Sequence, residues 1–139
     1  MKKKLSRMLT VGAAAVGAVA LATGPAFAGN VGANVFGAQG SGTFRYDGHY
    51  IAPQIYVTVA DTGKDGHSVG VRVQSLTPDR KVTSYSWHKV YTGAGTEKTW
   101  PTSLQDNRGI WALRIQVCVF EGDKALGCDE SSWDGNPNY

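Results

Sequence analysis

The sequence lacks an apolar run long enough to span a bilayer. Its longest such run, Met8–Ala22, has 15 residues, whereas a transmembrane helix needs about 20. Three lysines and Arg7 precede this run, and Ala26-Phe27-Ala28 follows it. This order of basic, apolar and small residues is typical of a secretory signal peptide. We therefore predict that residues 1–28 are a signal peptide and that the mature protein is secreted, with no membrane segment after cleavage.

Excess positive charge is also missing from the predicted mature chain. Residues 1–28 hold four of the 14 basic residues and none of the 11 acidic residues, so the formal net charge falls from +3 to −1 when they are removed. Binding to nucleic acid depends largely on Lys and Arg contacts to phosphates. The charge balance therefore argues against a nucleic-acid partner.

Cysteine is scarce, because Cys118 and Cys128 are the only two in the chain. Zinc needs three or four Cys or His ligands, and no histidine lies near these two cysteines to complete such a site. The segments 111–120 and 125–133 are predicted to pair as a hairpin that places the cysteines opposite each other. An even number of cysteines in an exported chain is typical of a disulfide, which we predict here together with no metal site.

A helical apolar stripe is missing as well, and alternation with a period of two dominates from residue 43 onward. The runs Ile55–Val59 and Val69–Val73 alternate on either side of a Gly- and Asp-rich turn and are predicted to form a hairpin. Short strands separated by Gly-rich turns are typical of two packed antiparallel sheets. We predict an all-β fold: a small antiparallel β-sandwich of six or seven strands at 43–139, preceded by an extended N-terminal segment.

The extended segment, residues 29–42, carries no charge and is rich in glycine. One interpretation is a flexible tail. The other is a donated strand that extends the sheet edge of a partner, with Val31, Ala33 and Val35 on one side. Solubilising tails are usually charged, which favours the donated strand. This predicts a partner-binding site at Asn30, Val31, Ala33, Val35 and Phe36.

Signatures of catalysis are absent from the sequence. It has no G-x-S-x-G nucleophile elbow and no free cysteine, and a small sandwich rarely encloses a cleft for paired carboxylates. His49, His67 and His88 do not have the spacing of metal ligands, and Asp61 and Asp65 offer too few oxygen ligands for calcium. We therefore expect no enzyme, no cofactor and no metal.

Aromatic residues provide the remaining candidate contacts. Alternation places Trp87 and Trp111 on core faces, whereas Trp100 and Trp133 lie near strand ends and are candidates for exposed contacts.

Two functions other than the donation of a strand to a partner protein are also open. One is an extracellular protease inhibitor that presents the loop Thr92–Thr96, and the other is a carbohydrate- or cell-wall-binding module.

The layout resembles the small adaptor subunits of the secreted umbrella toxin particles of actinobacteria. The resemblance rests on the uncharged start GNVGANVFGAQGSG, the compact β body and the Cys118/Cys128 pair. It implies a protein-interaction module that joins a lectin-like subunit to a toxin-bearing polypeptide. By this resemblance Asn30–Phe36 would insert as a strand into one partner, and Trp100 would contact the second.

Overall fold

The computed structural model describes residues 29–139, and this part of the chain confirms the predicted all-β sandwich. The predicted signal peptide, 1–28, lies outside the described residues. Ten strands follow one another in residues 29–139: β1 (Gly29–Val35), β2 (Ala38–Asp47), β3 (Ile51–Asp61), β4 (Ser68–Leu76), β5 (Val82–Ser84), β6 (His88–Val90), β7 (Glu97–Gln105), β8 (Ala112–Glu121), β9 (Lys124–Glu130) and β10 (Asp134–Gly135). The predicted number of six or seven was too low. In this range no helix is long and apolar enough to cross a membrane.

The strands form two antiparallel sheets. The first sheet has the order β1-β2-β3-β7, so β1 and β7 are its edges. In the second sheet β4 and β8 are neighbours at the centre. Strands β5 and β6 pair with the free side of β4, while β9 and β10 pair with the free side of β8. Both central strands of the second sheet are therefore hydrogen-bonded on each side.

The core lies between the two sheets and consists of the alternate residues of their long strands. The first sheet contributes Phe44, Ile55, Val57 and Val59, and the second contributes Val69, Val71, Leu113, Ile115 and Val117, all at most 1% exposed. Burial of each such side chain stabilises the fold by about 1.5–3 kcal/mol. The period-two pattern thus identified the inward residues of β3, β4 and β8 correctly.

The predicted hairpin between Ile55–Val59 and Val69–Val73 is wrong. Strand β3 pairs with β2 and β7, whereas β4 pairs with β8 in the opposite sheet. The chain crosses from one sheet to the other at the 62–67 loop. Alternation shows which side chains face the core, but two runs that pack face to face alternate in the same way as two runs that pair.

Residues 29–42 are extended, as predicted, but they are paired within the domain itself. Strand β1 forms a complete antiparallel ladder with β2 from Gly29↔Phe44 to Val35↔Ala38. Strand β2 runs across the predicted boundary at residue 43, so the segment and the sandwich are one unit. The expected boundary at residue 43 does not divide the fold, because the glycines that set residues 29–42 apart in the sequence have a packing role.

That packing role is to allow the close approach of the two sheets at β2. A Cβ atom on Gly42 would lie 2.7 Å from Ile115 Cγ2, and one on Gly40 would overlap Val117 Cγ2. Contacts under 3.0 Å between carbon atoms require the neighbouring group to move. Glycine in this segment therefore makes room for the facing sheet.

The predicted disulfide is present. Cys118 in β8 lies directly opposite Cys128 in β9, and the two form a disulfide across the hairpin. The bridge closes a short loop with a sequence separation of 10. Such a loop constrains the unfolded chain by about 2–3 kcal/mol in the loop-entropy model.

Side-chain hydrogen bonds join the two sheets along the side where β1 lies near β9 and β10. Tyr46 of β2 donates its hydroxyl to the Asp134 carbonyl at 2.7 Å and to the Asp134 carboxylate at 3.1 Å. Burial is the main cause that raises the pKa of Tyr46 above its ordinary range. At the other end of β1, the Asn34 N–H donates to the Asp129 carboxylate at 3.0 Å. These contacts close one flank of the sandwich.

Candidate functional site

Four loops meet at one end of the sandwich: β1–β2, β3–β4, β6–β7 and β8–β9. The Thr62 N–H donates to the Gly37 carbonyl at 3.0 Å, and the Gly95 N–H donates to the Asp61 carbonyl at 2.8 Å. Lys89 Nζ donates to the Gly122 carbonyl at 3.4 Å. This end therefore presents the tips of several hairpins held together by hydrogen bonds.

Phe36 is the most exposed large apolar residue at this end. It stands in the two-residue turn between β1 and β2, next to Gly37, whose φ of 98° suits a residue without a side chain. The Phe36 side chain is 94% exposed. A fully exposed phenylalanine loses the transfer free energy that burial would give, so its position favours a binding role over a stabilising one.

An apolar groove of about 410 Å³ lies beside Phe36. Its apolar lining comes from Val35, Val119 and Leu126, and its polar lining comes from Asp65 and His67. The His67 N–H donates to Asp65 Oδ1 at 3.0 Å, and this bond is the main cause that lowers the pKa of the Asp65 carboxyl. We call Phe36, Val35, Val119 and Leu126 the tip patch.

The structure separates the partner-binding residues that were predicted between Asn30 and Phe36. Val35 and Phe36 belong to the tip patch, and Asn30 is exposed on β1. Val31 and Ala33, however, are only 9% and 4% exposed and belong to the core. Their predicted role as side chains offered to a partner is wrong for the paired state of β1, because they already pack inside the protein itself.

Trp100 does not lie with the tip patch. It is on β7, the edge strand opposite β1, and its ring is half-buried against the core. The His88 ring lies 5.1 Å from it, and Lys98 Nζ lies 5.4 Å from its centroid. Burial lowers the pKa of His88. The predicted site is therefore divided between two edges of one sheet.

The Thr92–Thr96 loop, considered for protease inhibition, is fastened to the end of β3. Its Thr96 carbonyl accepts a hydrogen bond from the Asp61 N–H at 2.9 Å. Tyr91, which precedes the loop, is 74% exposed. The loop is thus held at one side and lies at the same end as the tip patch.

The outer face of the second sheet carries a feature that the sequence reasoning missed. Three aromatic rings there each lie against a cation, with centroid distances of 3.9–4.4 Å: Trp87 with Arg72, Phe120 with Lys89 and Trp133 with Arg114. Trp111, which directly precedes β8 and is outside the core cluster, lies 4.7 Å from Arg80. The core placement predicted for Trp87 and Trp111 is therefore wrong. Residues 85–87 lie between β5 and β6 and belong to neither strand, and Trp87 stands on the outer face against Arg72.

Residues 29–139 contain no group of three or more His, Cys, Asp or Glu side chains positioned to hold a metal ion. Asp61 is the notable buried carboxylate, at 2% exposure. Its Oδ1 accepts from the Gly63 N–H at 3.1 Å, while its Oδ2 has no hydrogen-bond partner in this part of the chain. Asp61 continues the inward face of β3 and closes the core below the loop.

Comparison with known proteins finds no match: no family model, no curated protein and no solved structure is similar to this chain. The tip patch and the outer face of the second sheet are therefore the two surfaces that point to a function.

Proposed function

We propose that this protein is a secreted, non-enzymatic protein-interaction module that acts as an adaptor between extracellular subunits, and that its tip patch makes the contact. The observation that carries the proposal is the 94% exposure of Phe36 beside an apolar groove. Interface anchors are typically aromatic side chains that enter an apolar pocket of the partner. The partner is thus expected to be another polypeptide with such a pocket.

Rigid presentation of Phe36 supports this role. The turn that bears Phe36 is held on one side by the Thr62–Gly37 backbone bond and on the other by the Asn34–Asp129 bond. A side chain that is already held in its binding position loses less conformational entropy when the partner binds. The disulfide supports an oxidising, extracellular setting for the same module.

Docking through the tip patch also requires less free energy than donation of β1 to a partner. Donation would break the seven-residue ladder with β2 and expose Val31 and Ala33. Docking by Phe36 leaves the ladder and the core intact. The lectin-like and toxin-bearing subunits implied by the resemblance remain the candidate partners, and the proposal changes only the surface that would engage one of them.

The first experiment compares Phe36→Ala with the wild type in affinity capture from culture medium, followed by mass spectrometry. We expect the variant to keep its thermal stability, because the side chain is exposed, and to lose a stoichiometric partner. Tyr50→Ala is the matched control: Tyr50 is 51% exposed in the β2–β3 turn at the opposite end. If Phe36→Ala captures the same partner in equal amount, the proposal is wrong.

A second variant separates tip docking from strand donation. Gly32 and Ser41 are opposite each other in the β1–β2 ladder and both are exposed. The double substitution Gly32→Cys/Ser41→Cys is designed to lock β1 to β2 when oxidised. Tip docking predicts that the locked protein still captures its partner, whereas strand donation predicts that the locked protein captures none.

A further inference from the structure

The same tripeptide pattern, Arg-x-Gln, occurs in both central strands of the second sheet. It is 72–74 (Arg-Val-Gln) in β4 and 114–116 (Arg-Ile-Gln) in β8. The antiparallel register places Arg72 opposite Gln116 and Gln74 opposite Arg114. The middle residues, Val73 and Ile115, face the core, so the Arg and Gln side chains lie on the outer face.

The arginine of each tripeptide donates a hydrogen bond to the glutamine of the other. Arg72 Nε donates to Gln116 Oε1 at 2.8 Å, and Arg114 Nε donates to Gln74 Oε1 at 2.8 Å. We call these four residues the crossed arginine pair. The two arginines occupy diagonal positions of the ladder, which lie about 7–8 Å apart.

Each guanidinium of the crossed arginine pair is also stacked on an indole ring. Arg72 Cζ lies 4.4 Å from the centroid of Trp87, and Arg114 Cζ lies 4.2 Å from that of Trp133. One hydrogen bond and one ring contact thus fix the plane of each guanidinium. Such planes are preorganised for bidentate binding of carboxylate, sulfate or phosphate groups.

Most donors of the two guanidinium groups remain unused. A guanidinium has five N–H donors, and only Nε is hydrogen-bonded in each case within residues 29–139. Arg72 is half-buried, and this burial is the main cause that lowers its pKa. The nearby acid is Glu130, which accepts from Gln116 Nε2 at 2.8 Å. Two cations therefore face one carboxylate.

We propose that the crossed arginine pair is a binding site for an acidic polysaccharide, with one carboxylate or sulfate group at each guanidinium. This site is separate from the tip patch and does not depend on the function proposed for it. It would add a glycan ligand to a protein that binds another polypeptide at its end.

A polysaccharide fits this face better than an acidic peptide does. Strands β4 and β8 are paired on both sides, so a peptide gains no backbone hydrogen bonds by adding to them. The ligand must be recognised by side chains alone. A stiff polymer with regularly spaced charges loses less conformational entropy on binding than a flexible peptide. The half-buried rings of Trp87 and Trp133 also offer apolar edges to the C–H groups of sugars.

Binding is tested by calorimetric titration of the described domain, residues 29–139 with the disulfide intact, with heparin oligosaccharides and with oligogalacturonate. Heparin offers sulfate groups together with carboxylates, whereas oligogalacturonate offers carboxylates alone, and dextran sulfate oligosaccharides, which offer sulfate alone, are titrated as a third probe to identify the oxyanion. We expect the double variant Arg72→Gln/Arg114→Gln to bind at least about tenfold more weakly, because it loses charge-assisted hydrogen bonds to both groups.

The matched control is Arg45→Gln on the first sheet. Arg45 is also hydrogen-bonded to a glutamine in the neighbouring strand, since its Nη1 donates to Gln54 Oε1 at 3.0 Å, and the substitution removes the same charge. We expect it to leave affinity unchanged. Glu130→Gln removes the carboxylate beside Arg72 and should strengthen binding about two- to fivefold. Circular dichroism of each variant confirms that it remains folded.

Several results would overturn the proposal. One is failure of the wild type to bind any of the three glycans. Another is equal weakening by Arg45→Gln and by the double variant, which would indicate general charge attraction. A third is binding of inorganic polyphosphate as tight as that of glycans of equal charge, which would assign the site to phosphate polymers.

Discussion

At the scale of single residues, a buried carboxylate is stabilised by the hydrogen bonds that it accepts from neighbouring residues. Asp106, in the turn after β7, accepts the Arg108 N–H and Nε–H at 2.9 Å each and an Nη2–H at 2.7 Å. These bonds are the main cause that lowers the pKa of the Asp106 carboxyl below its ordinary value. The carboxylate is 7% exposed, so little water replaces these partners when they are lost.

We predict that Asp106→Asn makes the protein less stable at pH 7 by about 1–2 kcal/mol. Because the folded pKa is lowered, the contribution of Asp106 is present above pH 4 and is lost as the pH falls through the folded pKa. The variant should therefore show a smaller loss of stability between pH 4 and pH 2 than the wild type. Urea unfolding at several pH values measures the difference.

Asp123→Asn is the control for this pH dependence, because Asp123 is fully exposed opposite Lys89. It removes the same formal charge and should reproduce the wild-type curve. A curve for Asp106→Asn parallel to the wild type would show that the Arg108 contacts contribute no pH dependence.

At the scale of elements, the glycine content of the first two strands reflects how closely the sheets pack. The lack of charge in residues 29–42 suggested a tail or donated strand, since glycine and neutral residues are common to both. The structure shows a third use of the same composition, in which a strand lies close to a facing sheet. Only the position of β8 across the core distinguishes this use.

We predict that Gly42→Ala destabilises the fold by about 1–3 kcal/mol, because its new methyl group would press on Ile115 in the core. The matched control is Gly32→Ala in β1. A Cβ atom at Gly32 would have its nearest contact at 3.5 Å, from the Gly40 carbonyl, and would face outward. Denaturant unfolding should show a lower free energy of unfolding for Gly42→Ala and no change for Gly32→Ala. Equal effects of the two substitutions would contradict the packing argument.

At the scale of the whole molecule, the two sheets are joined along one flank by residues distant in sequence. Strand β1 opens the described chain, yet its Asn34 N–H is held by Asp129 of β9. Both β1 and β9 are edge strands, and an uncovered edge is prone to pair with another chain. The Asn34–Asp129 bond therefore protects the edge on which the tip patch stands.

We predict that Asp129→Ala speeds amide hydrogen exchange at Asn34 about tenfold, because the N–H loses a charge-assisted hydrogen bond. Exchange in the centre of β8 should not change. Glu130→Ala serves as the control, since Glu130 bonds to Gln116 within its own sheet. Exchange at Asn34 that is the same in all three proteins would show that the bond does not restrain β1.

The sequence alone determined the all-β class, the inward faces of β3, β4 and β8, and the pairing of Cys118 with Cys128. These features follow from local rules, because alternation sets the face of each side chain and a short hairpin brings its own residues together. The tertiary structure alone decided that β3 and β4 belong to different sheets, that Val31 and Ala33 are core residues, and that Phe36 stands exposed. It also decided that the two Arg-x-Gln patterns meet. Each of these depends on contacts between distant segments, and many strand arrangements satisfy the same alternation until the two sheets pack together.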